Sequence, residues 1–107
     1  MIAFNDFKRL MLRDLKTPYC LEFEFSVLGK EKYSKCKIGK KTRRISKNRG
    51  YVYWISLGKE DERLFLSFEE MIREKIFDGL SFGELWDKIV FSEKTDVFKF
   101  FFDQKYD

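Results

Sequence analysis

Histidine is absent from all 107 residues. The commonest general base is therefore missing. No serine–histidine or cysteine–histidine nucleophile can be assembled. Two cysteines, Cys20 and Cys36, are too few for a disulfide framework or a four-ligand zinc site. We read both as reduced, small apolar fillers of a cytoplasmic protein. No glycine-rich phosphate loop occurs. Glu60, Asp61 and Glu62 are consecutive, so in a turn they point in different directions and make no metal set. Long apolar runs are missing as well. Asp6, Lys8, Arg9, Arg13 and Asp14 interrupt the N-terminal residues, which excludes the unbroken stretch of ~7–15 that a secretory signal needs. Nothing approaches the ~18 consecutive apolar residues of a membrane span. The expectation is a protein with no catalysis, no cofactor or metal, no small-molecule substrate and no membrane partner.

What the chain does contain is phenylalanine and charge. The composition is 44% apolar and 37% charged, with 13 phenylalanines, enough apolar matter for a core. The length suits one domain over residues 1–107.

Local patterns order that domain. Phe7, Leu10, Met11 and Leu15 recur at helical spacing, so a first helix is expected from a cap at Asn5 or Asp6 to about Lys16. Pro18 stops it. Residues 19–28 alternate strictly: Leu21, Phe23, Phe25 and Val27 against Cys20, Glu22, Glu24 and Ser26. This marks a half-buried antiparallel strand. Gly29 and Lys30 form a turn, and residues 32–38 return as a strand. A weaker strand follows over 42–47, and residues 47–50 make a hairpin turn. Residues 51–57 are rich in strand formers. A charged turn over 58–62 leads to a short strand over 63–66. The sheet is thus expected to span residues 19–66, preceded by a helical segment over 1–18.

Residues 67–107 look helical and acidic. Ser67 and Glu70 form a capping box for a helix from Phe68 to about Phe77, ended by Gly79. Ser81 and Glu84 repeat the box and open a short helix through Ile89. Residues 95–106 fit helix and strand alike, and helix is the choice made here. Strands in the middle and helices at both ends give an α+β class. The expectation is an antiparallel sheet of four to five strands, an N-terminal helix and two to three C-terminal helices.

The charge is strongly polarised. Residues 30–49 carry ten bases and the single acid Glu31, whereas residues 60–107 carry 13 acids and seven bases. The candidate contact residues are Lys35, Lys37, Lys40, Lys41, Arg43, Arg44, Lys47 and Arg49, with Tyr33, Tyr51 and Tyr53 as stacking rings. Cations beside rings on an exposed sheet face suit nucleic acid: the cations track phosphates and the rings stack on bases at ~1–3 kcal/mol each. An acidic protein surface would suit the same face, as would a merely solvated hairpin whose lysines block edge-to-edge association. A second candidate surface is acidic and aromatic. It comprises Glu69, Glu70 and Glu74, with Phe98, Phe101 and Phe102, and it would meet a protein partner or a second copy of the chain.

This small, lysine- and phenylalanine-rich type with scarcely any alanine resembles the accessory proteins of phages and mobile elements in low-GC bacteria, among them the anti-CRISPR inhibitors. The resemblance is one of type and carries no site residues. It implies a stoichiometric binder that blocks a nucleic-acid-processing complex.

Overall fold

The computed structural model describes residues 3–13, 21–45, 48–58 and 62–92. It is an α+β arrangement around one five-stranded antiparallel sheet. Helix α1 spans Phe4–Leu12 and strand β1 Leu21–Val27. A 3₁₀ turn over Glu31–Tyr33 precedes β2, Cys36–Ile45. Strands β3, Asn48–Ser56, and β4, Glu62–Phe65, follow. Helix α2 covers Phe68–Arg73, a 3₁₀ turn covers Trp86–Lys88, and β5 covers Ile89–Phe91. The sheet order is β4-β3-β2-β1-β5. It is a four-stranded meander with β5 added beside β1.

The alternation of β1 works as its sequence dictates. Leu21, Phe23, Phe25 and Val27 are buried, while Glu22 and Glu24 are exposed. Register transmits that parity across the sheet. Phe23 lies opposite Ile38, and Ile38 opposite Ile55. The amphipathic face of α1 packs over this layer. Phe7 is fully buried, with its ring centroid 5.7 Å from Phe23, 5.7 Å from Phe82 and 5.3 Å from Trp86. Burying each such ring is worth about 1.5–3 kcal/mol, and the tilted contacts add to it.

Several expectations change in the folded chain. The first helix stops at Leu12, not Lys16, and neither Asn5 nor Asp6 caps it; Ala3 occupies the cap position. The expected strand over 32–38 is a 3₁₀ turn followed by β2, which also takes in residues 42–45 of the separate strand expected over 42–47. Asn48, Arg49 and Gly50 lie on β3 and do not form the turn expected over 47–50. Two or three C-terminal helices are not found among the described residues. Helix α2 ends at Arg73, four residues early. The second box is complete, with the Ser81 N–H donating to Glu84 Oε1 at 3.1 Å and the Glu84 N–H to Ser81 Oγ at 3.2 Å. It holds one turn only, because the chain then enters β5, an element the sequence pattern did not mark. Residues 95–106 lie outside the described residues.

Candidate nucleic-acid interface

The basic segment divides into a root inside the sheet and an arm beyond it. β1 pairs with β2 only from Cys36 to Lys40, and β4 pairs with β3 only from Tyr53 to Ser56. The β2–β3 pairing continues past both, through Lys41↔Val52, Thr42↔Tyr51, Arg43↔Gly50, Arg44↔Arg49 and Ile45↔Asn48. Among the described residues no further strand flanks these five rungs. At ~3.3 Å per residue the ribbon reaches roughly 15 Å beyond the described parts of β1 and β4. The chain from Lys40 to Arg49 carries six bases and no acid.

At the root, structure neutralises what the sequence offered as free charge. Lys37 Nζ lies 3.9 Å from Glu22 Oε1 across the β1–β2 pair, and Lys41 Nζ 3.1 Å from Glu62 Oε2. Lys32 Nζ lies 2.6 Å from Asp78 Oδ1. That hydrogen bond holds the Asp78 carboxyl below its usual value and the Lys32 ammonium above its own. Lys35 is exposed in the bend before β2 and rims a shallow groove with Glu22, Lys37, Trp54 and Glu62.

Lys40 is not a surface contact at all. Its relative exposure is 0%, because it shares the core parity of Cys36 and Ile38. Its ammonium donates to the Arg13 carbonyl at the end of α1 and sits 4.3 Å from the Tyr51 ring centroid. A helix C-terminus leaves carbonyls without intrahelical partners and carries partial negative charge, so a buried cation is accommodated there. Tyr53 serves the same helix end: its hydroxyl donates to the Met11 carbonyl at 3.5 Å.

The stacking rings are corrected for the same reason. Tyr33 and Tyr53 are buried, Tyr33 with its ring edge-on to Phe77 at 5.2 Å. Tyr51 is half-buried beneath the Lys40 ammonium. Strand β3 is covered on both faces: Tyr53 and Ile55 lie in the main core, and Val52 and Trp54 on the opposite face are 7% and 4% exposed. Among the described residues no aromatic residue is exposed. The candidates that remain are therefore Arg43, Arg44 and Arg49, which the register places on the arm, with Lys35 near the root. Lys47 lies outside the described residues.

The acidic alternative is partly consumed by internal pairing. Glu69 Oε1 lies 3.0 Å from Lys8 Nζ, and Glu69 Oε2 3.8 Å from Arg73. The Lys8 hydrogen bond draws the Glu69 carboxyl below its usual range. Glu70 and Glu74 are exposed. Phe98, Phe101 and Phe102 lie outside the described residues.

Cys36 is buried, and desolvation pushes its thiol up to about 11, which suits a filler and not a nucleophile. Among the described residues no group of three or more cysteines and carboxylates converges as a metal site, and no helix is long and apolar enough to cross a membrane. Sequence reasoning missed Lys40 as a structural cation. The signal was available in its parity with Ile38, two residues earlier. Comparison with protein-family models, curated proteins and solved structures returns no match.

Proposed function

We propose that this protein is a non-enzymatic binder that docks on nucleic acid, free or within a nucleoprotein, through the β2–β3 arm. One observation carries the reading: among the described residues the β2–β3 register runs five rungs past the pairing of β1 and β4, over the stretch where bases accumulate without acids. Backbone pairing between β2 and β3 sets the spacing of the basic positions along the ribbon, so binding loses less backbone freedom than an unpaired basic loop would. Neutralising phosphates releases condensed counterions, which supplies affinity without sequence readout. Set beside the resemblance to phage accessory proteins, such an arm would act by stoichiometric occupation of a nucleic-acid-binding complex.

The acidic helical face fits less well as the working surface, since Glu69 is already held by Lys8 and Arg73. The test is fluorescence anisotropy with labelled nucleic acids over a salt series, comparing the parent with Arg43→Glu/Arg44→Glu. The expected result is salt-dependent binding that the charge reversal abolishes. Equal affinity of parent and variant would overturn the arm as the binding surface.

A further inference from the structure

We infer that β4 pairs edge to edge with β4 of a second copy of this chain, making a two-fold homodimer. The inference does not depend on the nucleic-acid reading above. It begins with exposure. The sheet order ends at β4, Glu62–Phe65. Leu64 is 58% exposed, and Leu66, just past the strand, is 71% exposed. Leu64 lies opposite Trp54 of β3, on the face away from the main core. Val52 and Trp54 are buried on that face, and Leu64 and Leu66 carry the apolar stripe out to the end of the sheet. Apolar side chains along a terminal strand favour pairing with another chain.

The second observation is that this edge complements itself. A two-fold axis makes one surface meet its own copy. Antiparallel pairing centred on Phe65 sets Leu64 opposite the partner's Leu66, and Leu66 opposite the partner's Leu64. Every exposed leucine of the strand then meets a leucine, on one face of a continuous sheet. Neighbouring centres are opposed by charge. Centring on Arg63 sets that cation against its own copy, and centring on Leu64 sets the Glu62 carboxylate against the partner's Leu66.

The third observation is charge complementarity. Arg63 is exposed, and so is Glu70 in the first turn of α2. The Phe65 centre brings Arg63 opposite the partner's Ser67, the N-cap position of that copy's α2. The partner's Glu70 lies one turn further on, within reach of an arginine side chain, and the symmetry makes this pair twice. Glu62 is already neutralised within its own copy, with Oε2 3.1 Å from Lys41 Nζ. Two short strands and four leucines make an interface below the ~1,200 Å² of standard complexes, so the dimer depends on concentration.

Sedimentation velocity of the whole protein over about 1–500 µM covers the dissociation constants expected of a small interface. The sedimentation coefficient is expected to rise from monomer to dimer across that range. Leu64→Lys/Leu66→Lys and Leu64→Glu/Leu66→Glu should each raise the dissociation constant by about tenfold or more, since like charges then oppose across the seam. Both side chains are exposed, so the thermal melt of each variant should match the parent and serves as the folding control. An equimolar mixture of the two variants should dimerise again, because lysine meets glutamate at every 64–66 pair. Arg63→Glu should weaken the dimer about fivefold, and Arg63→Glu/Glu70→Arg should restore it. A monomer at every concentration would overturn the inference and leave the edge to an extended segment of another protein. A dimer that both leucine variants leave intact would overturn β4 as the interface. Failure of the Arg63→Glu/Glu70→Arg exchange to restore pairing would overturn the Phe65 register.

Discussion

Replacing Gly39 with alanine should unseat the centre of the sheet. Gly39 sits on β2, opposite Glu22 of β1 and Trp54 of β3. A Cβ placed there would lie 2.0 Å from the Leu21 carbonyl oxygen and 2.8 Å from a ring carbon of Trp54. Ordinary carbon–oxygen contact needs more than 3 Å, so strand and ring must both move by an ångström or so. The oxygen belongs to backbone, which cannot rotate away as a side chain would. Overpacking a well-fitted site costs ~1–3 kcal/mol, and a backbone clash at the middle of two ladders belongs at the top of that range, about 3 kcal/mol. For a domain of this size ~1 kcal/mol lowers the melting temperature by roughly 4–8 °C, so the expected fall is about 12–24 °C. Thermal and urea denaturation followed by far-UV circular dichroism measure it. A loss below about 1 kcal/mol would refute the claim that glycine is required by close approach.

Three other perturbations have defined outcomes. Lys40→Ala should weaken folding by about 2 kcal/mol or more, since it leaves a cavity and deprives the α1 terminus of its donor. A urea midpoint unchanged from the parent would contradict that role. Ser81→Ala removes the hydroxyl that accepts from the Glu84 N–H, and should cost about 1 kcal/mol in the same assay; no loss would mean that the turn before β5 forms without its cap. The carboxyls of Glu69, Asp78 and Glu84 are all held below their usual values by hydrogen bonds, to Lys8, to Lys32 and to Ser81 respectively. Their contribution is full above the ordinary carboxylate range and is lost as pH falls through the lowered values. Stability should therefore drop on acidification below about pH 4, and the drop should shrink in Asp78→Asn. A stability profile flat down to pH 3 would contradict the pairing.

Much of the fold was legible because one mechanism dominates it. The strict alternation of β1 set its own faces, and register propagated them to Ile38 and Ile55. The capping boxes at Ser67 and Ser81 marked two real turns, since a side-chain acceptor and a backbone donor three residues apart need no distant partner. Their helices came out shorter than the sequence pattern suggested because a local cap starts a helix, whereas packing decides how far it runs. Strand β5 is three residues long and exists through its pairing with β1, so no local pattern announces it.

The sequence alone determined the α+β class, the antiparallel central strands and the concentration of bases in residues 30–49. These follow from periodicity and composition, which are local properties. Only tertiary structure decided which of those bases face solvent. Lys40 passed into the core because the sheet brought it beneath the end of α1, a helix 27 residues away from it at Arg13. Glu22, Glu62 and Asp78 met Lys37, Lys41 and Lys32 because strand pairing and turns closed those distances. The burial of Tyr33 and Tyr53, and the extension of β2 and β3 past the described parts of β1 and β4, likewise depend on partners remote in the chain. Charge is a property of a residue, but its availability is a property of the fold, since solvation depends on everything packed around it.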